Sequence, residues 1–496
     1  MITQQELNTL LWNAANSARG IVDASIFKDY SLAMLFYKYL SDMYKEELNG
    51  LIKQYRDNPA RLEMRKKNMR FHIPDGSSFD YVFKQISQDN LGEIINKALH
   101  AIEEANGDHL KDIFTVDFNS QSILGQVDQR NNMLRNLLRD FAKIDLTDVG
   151  KTDLLGNAYM YLLKQFASGA GKKAGEFFTP ETVSKLLAKL AMPKPGDRIC
   201  DPTCGSGSLL LMVGEEVGND DFSLNGQEKV GSTYNLARMN MFIHHKENAE
   251  IKWGDTLNNP LLKDENGLRK FEVVVANPPF SLDKWGYDNL EDDAYNRFYR
   301  GMPPKSKGDY AFISHMVEVA KDKVGRVAVI VPHGVLFRGA SEAAIRKAFI
   351  DENILDAVIG LPSGLFQTTG IPVAILIFDK SRQIGGANEN RKDILFIDAS
   401  REFIQNKIQN ELSDEIINKI FTTYKERKEI EKYSHLASYE EVEENDYNLN
   451  IPRYVDTFEE EEQVDMKEIA TKIANLEKEL EAVKKEMKQH LQKLGL

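Results

Sequence analysis

FEVVVANPPF, residues 271–280, runs from an apolar stretch straight into an amide, two prolines and an aromatic ring. Proline lacks the N–H that a sheet ladder needs, so a central strand must stop at Pro278. A stiff turn then presents Asn277 and Phe280 beyond the strand end. In an α/β sheet, ligands bind outside the carboxyl ends of the strands. The turn is therefore a candidate site.

This strand has company. From about residue 150, short β-branched runs alternate with helical patterns: DRICD, FSLNGQE, EIKWGD, FEVVVA, RVAVIVP, ILDAVIGLP and GIPVAILIF. Strands alternating with helices predict βαβ units and a largely parallel sheet, ending near residue 410. Before it, residues 1 to about 145 read as helical. Thr3 and Glu6 fit a capping box, and Leu7, Leu10, Leu11 and Ala14 share one face. RLEMRKKNMRFHIPDGSSFDYV, 61–82, is basic and then turn-rich, and reads as a solvated loop. EEVEENDYNLNIPRYVDTFEEEE, 440–462, reads as an exposed connector. Beyond it Met466, Ile469, Ile473, Leu476, Leu480, Val483, Met487 and Leu494 follow steps of three and four with His490 in the remaining slot, a heptad seam that wants a partner helix. The expected division is a helical domain over 1–148, a catalytic α/β domain over 149–410 and a helical tail for subunit contact over 411–496.

DPTCGSGSLLL, 201–211, follows the first strand and opens a helix; Gly205 and Gly207 permit a tight turn and close backbone approach to a ligand. The next strand ends at Glu228, about 20 residues on, where an acid can accept both hydroxyls of a ribose. The third ends at Asp255 and Thr256, and an Asp there can accept from an adenine amino group. No Gly-Lys-Ser/Thr follows the glycines and no pair of basic residues offers a pyrophosphate clamp. A nucleoside without a phosphate chain fits, and S-adenosylmethionine is such a ligand. In that setting the Asn277 oxygen and the Pro278 carbonyl can accept the two N–H bonds of a planar amine and drain charge from it. Phe280 can stack on a base that has left its duplex. Thr179 and Pro180, in GEFFTPETVSKLLAKL, read as N-cap and first helical residue, with Phe177 and Phe178 just outside as a staple or a cofactor cover.

GEFFTP, DPTCGSGSLLL, NGQE, GD, NPPF, KGDYAFISHM, GRVAVIVPHGVLFR, LPSGLFQTTGIPVAILIF and NLNIPRYV, in this order, resemble the modification subunit of a type I restriction–modification system. That family is similar to the gamma-class DNA adenine N6 methyltransferases, and the resemblance covers nearly the whole chain. It implies a Rossmann-like S-adenosylmethionine-dependent methyltransferase sheet between a helical N-terminal domain and a helical C-terminal tail. Cofactor contacts are implied for Glu176, Phe177, Phe178, Thr179, Pro180 and Glu181, then for Asp201, Thr203, Gly205, Ser206, Gly207 and Ser208, and for Glu228, Asp255 and Thr256. Asn277, Pro278, Pro279 and Phe280 would hold the target adenine. The implied partners are DNA with a flipped adenine, a separate specificity subunit, a second copy of this chain and, in some complexes, a restriction subunit. Many members carry alanine or threonine where Cys204 stands; a packed turn residue is the expectation there.

Composition bounds the reading. The formal net charge is -13, whereas a chain that grips DNA alone is usually basic, so either it does not bind nucleic acid or a partner supplies much of the grip; the resemblance implies the second. The two cysteines, Cys200 and Cys204, have no companions at metal spacing, so neither a disulfide framework nor a metal site is expected. No run of about 18 apolar residues predicts a membrane span. The start, MITQQELNTLLWNAA, lacks a basic-then-apolar leader, and a cytoplasmic protein is expected. Protein glutamine and rRNA adenine methyltransferases share an Asn-Pro-Pro-aromatic turn but usually lack the helical domain and the tail. A scaffold that methylates nothing has no need of the turn.

Overall fold

Thr3 opens the first helix, Gln4–Asn16, as its spacing predicts: its Oγ1 accepts the Glu6 N–H at 3.3 Å, and its own N–H donates to the Glu6 carboxylate at 2.8 Å. Leu7, Leu11 and Ala14 are buried, whereas Leu10 is exposed at the edge of the stripe. The structure, a computed structural model, describes residues 3–16, 24–147, 153–169, 179–290, 293–366, 370–407, 409–457 and 466–493. Helices Ala24–Gln54, Leu91–Asn106 and Val127–Ala142 complete most of the helical region. Its core takes in Leu236, Met239, Phe242 and Ile243 from the helix Gly231–Ile243, so it shares apolar packing with the α/β region.

The basic stretch 61–82 is not a solvated loop. It begins within a helix, Pro59–Lys66, capped by the Asn58 side chain. It then buries Met69, Phe71 and Ile73. Arg70 is spent internally, donating to the Tyr39 hydroxyl at 3.0 Å and the Phe242 carbonyl at 2.7 Å. The apolar residues between the cations decided this, and a charge count does not show them.

Among the described residues, eleven strands follow. β1 is Asp197–Asp201, β2 Phe222–Glu228, β3 Glu250–Trp253, β4 Lys263–Asp264, β5 Gly267–Leu268 and β6 Val273–Ala276; β7 is Arg326–Pro332, β8 Leu355–Gly360, β9 Val373–Asp379, β10 Ile394–Asp398 and β11 Ser434–Ala437. Each apolar run read from the sequence contains a strand. The small β4–β5 hairpin, β10 and β11 were not anticipated. Nine strands form one sheet in the order β11-β10-β8-β9-β7-β6-β1-β2-β3. β9 runs antiparallel to both β7 and β8, and β11 antiparallel to β10; the remaining neighbours are parallel. The order reverses between β1 and β6, which opens a crevice at their carboxyl ends.

The sheet and its packing do not stop near residue 410, where the sequence placed a boundary. Helix Asp414–Glu426, capped by Ser413, buries Ile417, Ile420 and Tyr424 in the same core as Val183 and Leu187 of helix Glu181–Ala191. β11 then closes the edge. The stretch read as an exposed connector buries Val442, Leu449, Ile451 and Val455, and Tyr454 stacks on Phe396 with ring centroids 3.8 Å apart. One compact unit spans Met1–Val455 and a second Asp456–Leu496. In the second unit, the helix Met466–Lys493 exposes Ile473, Leu476, Leu480, Val483 and Met487, each to more than half its surface. The Met466 and Ile469 side chains and Leu494 lie outside the described residues.

A buried carboxylate ties residues beyond 410 to the sheet. Asp356 on β8 takes Arg382 at 2.8 Å, Arg427 at 2.9 Å and the Tyr424 hydroxyl at 2.7 Å. Burial works against its charge, but Arg427 and Arg382 outweigh burial and hold its pKa below the usual value. Removing one partner of a buried ion pair leaves the others uncompensated. Asp356→Ala should therefore lower unfolding free energy by about 3–5 kcal/mol, read as a shift of the urea midpoint.

Candidate functional site

The crevice is built from four strand ends. After β1, Asp201 is buried, and its Oδ1 accepts the Thr203 N–H at 2.9 Å. The turn then lies across the end of β2: the Cys204 N–H meets the Gln227 carbonyl at 3.0 Å, and the Gly205 N–H meets Glu228 Oε2 at 3.0 Å. The other Glu228 oxygen accepts the Val230 N–H at 2.7 Å. Gly207 has φ +77°, a left-handed backbone that favours glycine, and a Cβ there would press on the tip of the Met241 side chain at 2.7 Å. Ser206 and Ser208 share a hydrogen bond of 2.8 Å, and Asn240 Nδ2 holds the Ser206 carbonyl at 2.9 Å. Cys204 is packed, as expected: a Cβ on Gly226 would sit 2.9 Å from its sulfur, and burial pushes its thiol pKa well up.

At the end of β3, Asp255 Oδ1 accepts the backbone N–H groups of Leu257 and Asn258 at 3.0 and 3.1 Å, while Oδ2 pairs with Lys229 at 2.8 Å. Burial opposes its charge, but Lys229 and the Asn258 N–H prevail, and its pKa falls. Thr256 is buried, its hydroxyl donating to the Pro202 carbonyl at 2.5 Å, which joins the β3 end to the β1 turn. Arg297, fully buried against Asp293, braces the same segment through the carbonyls of Thr256 and Leu257 at 3.2 and 2.7 Å. His315 lies against that guanidinium at 3.2 Å; burial first, and Arg297 second, depress its pKa to about 3.

The turn after β6 is anchored at both ends. Asn277 Nδ2 donates to Thr179 Oγ1 at 3.1 Å, while its Oδ1 is buried with no hydrogen-bond partner among the described residues. Pro278 is buried, and Pro279 and Phe280 are half-buried. Phe280 meets Phe366 edge-on, centroids 5.8 Å apart at 70°. Ser281, at φ +50°, gives its N–H to the buried Asp309 at 2.8 Å, and Arg338 bridges Asp309 and Glu342, each at 2.9 Å. Phe366, Asp309 and Arg338 carried no assigned role in the sequence reading. They stand in stretches quoted only for their resemblance, and nothing in their spacing points at NPPF.

Thr179 does not cap its helix. Helix Glu181–Ala191 starts one residue later than expected, with Pro180 at the cap position. The Thr179 hydroxyl serves Asn277 instead. Glu181 pairs with Lys185 at 3.2 Å and Lys164 at 3.9 Å. Glu181 also lines a cavity of about 380 Å³ with Thr179, Ser184, Met160, Lys164 and Ser208. Glu176, Phe177 and Phe178 lie outside the described residues. No group of three or more His, Cys, Asp or Glu among the described residues is arranged to hold a metal ion.

Two carboxyl groups at neighbouring strand ends, a tight glycine turn and a buried amide oxygen without a partner among the described residues suit a nucleoside and a planar amine. Residues 150–463 match the family described as N-6 DNA Methylase, and residues 7–141 match the HsdM N-terminal domain. The chain is 34% identical to the type I restriction enzyme MpnII methylase subunit of Mycoplasma pneumoniae, over 92% of this chain and 90% of that protein. It is 32% identical to the MjaVIII methylase subunit of Methanocaldococcus jannaschii, over 96% and 82%. The type I restriction–modification methyltransferase subunit from Streptococcus thermophilus superposes with a TM-score of 0.82 at 38% identity, covering 92% of this chain and 100% of that one. The chain belongs to the methylase subunits of type I restriction–modification systems. It transfers a methyl group from S-adenosylmethionine to N6 of adenine, as part of a complex that acts on DNA.

Burial raises the Asp201 pKa from 3.8 to about 7, opposed by the Thr203 N–H and assisted by the charge of Glu228. A raised carboxyl pKa means that the folded state binds the extra proton, so stability falls as pH rises from about 4 to about 7 and then levels. Asp201→Asn, which stays neutral, should melt progressively higher than the parent chain across that window. Melting curves of cofactor-free protein at stepped pH check this.

Proposed function

We propose that the Asn277–Phe280 turn receives the amino group of a flipped adenine and that Asn277 is the group acting on it. The observation that carries this reading is Asn277 Oδ1, buried and without a hydrogen-bond partner among the described residues. A buried acceptor without a donor is unfavourable in the resting protein. An adenine N6 amine supplies the missing N–H. Its lone pair is delocalised into the ring and is weakly nucleophilic. Oδ1 and the Pro278 carbonyl accept its two N–H bonds and stabilise positive charge as it grows on nitrogen, with no strong general base needed. Phe280, held edge-on by Phe366, offers its face to the base. S-adenosylmethionine, when bound, supplies an electrophilic methyl group. Glu228 would accept the ribose hydroxyls, Asp255 with Thr256 would face the adenine of the cofactor, and Asp201, Thr203, Gly205, Ser206, Gly207 and Ser208 would line the turn beneath it. The two Glu228 oxygens take the Gly205 and Val230 N–H groups, which fixes the carboxyl group at the strand end.

The assembly follows from charge and from the tail. At -13 the chain's own field repels phosphate, so the duplex must be held largely by partners. The exposed stripe Ile473, Leu476, Leu480, Val483 and Met487 suits a helix of a specificity subunit, which reads the DNA site. Two copies of this chain would flank that subunit, and a restriction subunit would join where cutting occurs. This work takes place in the cytoplasm, where the DNA is.

Asn277→Ala should cut turnover by about 10²–10³-fold, the usual loss on removing one preorganised electrostatic group, with cofactor affinity near that of the parent. Tritium transfer from labelled cofactor to cognate DNA in the reconstituted complex, with calorimetry for the cofactor, gives both numbers; near-normal methylation would refute the role. Truncation after Val455 removes the exposed stripe and leaves the first compact unit whole. The shortened chain should bind cofactor yet co-purify poorly with the specificity subunit, whereas undiminished complex would assign the stripe elsewhere.

A further inference from the structure

Thr179 stands in a stretch that the family resemblance ties to the cofactor, yet its hydroxyl is committed elsewhere. It accepts a hydrogen bond from Asn277 Nδ2 at 3.1 Å, across 98 positions of chain. A carboxamide can turn end for end with little change in shape, and the two orientations have opposite chemistry at this site. In the observed one, Nδ2 is satisfied by Thr179, and Oδ1 is the buried atom that meets no donor among the described residues. In the reverse one, an N–H₂ group would occupy that buried position with nothing to accept from it, and it would meet an incoming amine donor to donor. Buried N–H groups without acceptors are rarer than under-satisfied carbonyls, so the buried end of the amide favours the first orientation, and the Thr179 hydroxyl, which can donate or accept, holds it there by accepting from Nδ2.

We propose that Thr179 is a positioning residue for the target amine: its hydroxyl, bonded to Nδ2, pins the Asn277 amide in the place and orientation in which Oδ1 meets the amine. This rests on the reading of Asn277 given above. The hydroxyl touches Asn277 and acts through it. Its removal should appear in turnover, because the amide orientation matters most as charge develops on the amine nitrogen.

The test compares Thr179→Val, Thr179→Ser and Asn277→Ala in full-length chains within the reconstituted complex, with turnover, KM for DNA and calorimetric cofactor affinity measured for each. Valine keeps the branched shape and loses the acceptor; serine keeps the acceptor. Thr179→Val is expected to lower kcat about tenfold, the effect of losing the one hydrogen bond that pins the amide, with cofactor affinity unchanged. Thr179→Ser should restore most of the turnover. Adding Thr179→Val to Asn277→Ala should change nothing further, since the group it orients is gone. A Thr179→Val enzyme with parental kcat beside an inactive Asn277→Ala would overturn this inference alone. So would weakened cofactor binding with parental kcat at saturation, which would return Thr179 to the cofactor. An active Asn277→Ala would overturn the reading of the turn and this inference together.

Discussion

The parallel pairing of β1 with β6, Ile199 against Val273 and Cys200 against Val274, is the constraint on which the site depends. It sets the glycine turn and the Asn-Pro-Pro-Phe turn side by side, although the chain between them passes through β2 and β3. Because the strand order reverses at this pair, the helices leave it on opposite faces, and the carboxyl ends of the two strands open onto a shared crevice. The small interactions then follow: Glu228 holds the Gly205 N–H, Thr256 holds the Pro202 carbonyl, and Arg297 holds the carbonyls beyond β3.

Around that crevice, charge is used for placement. Asp255, Asp309 and Glu228 each accept backbone N–H groups, so the carboxylates fix loops in position. The group that faces the proposed substrate is a neutral amide. An amide has no proton to gain or lose near neutral pH, so its competence depends on its orientation rather than on its ionisation. This is why the neighbours of Asn277 matter: Thr179 on one side, and Asp309 with Arg338 beyond Phe280 on the other.

Much of this was legible in the sequence. Periodicity found β1, β2, β3 and β6 to β9, and turn chemistry found Gly205, Gly207 and the stop at Pro278. β10 and β11 were missed for different reasons. ILFI is a plain apolar run hidden between a polar loop, GGANENRKD, and a charged segment, and SHLA has no apolar alternation, being a strand only because β10 leaves an edge to pair with. The basic stretch 61–82 was misread because charge was counted without weighing Met69, Phe71 and Ile73, whose burial holds it in place. The boundary near 410 was set too early because the sheet was taken to end with its strongest strand signals.

The sequence by itself determined which residue types stand at the strand ends, and so the chemistry on offer: an amide and a stiff turn after one strand, glycines after another, acids after two more. These are local properties, because proline, glycine and hydrophobic period act through a residue's own backbone and near neighbours. Only the tertiary structure decided which of these ends meet. That Thr179 serves Asn277 and not its own helix, that Phe366 stands edge-on to Phe280, and that Asp309 anchors Ser281 are contacts between residues far apart in the chain. Their geometry is set by strand order and by packing across the sheet, which no local spacing encodes.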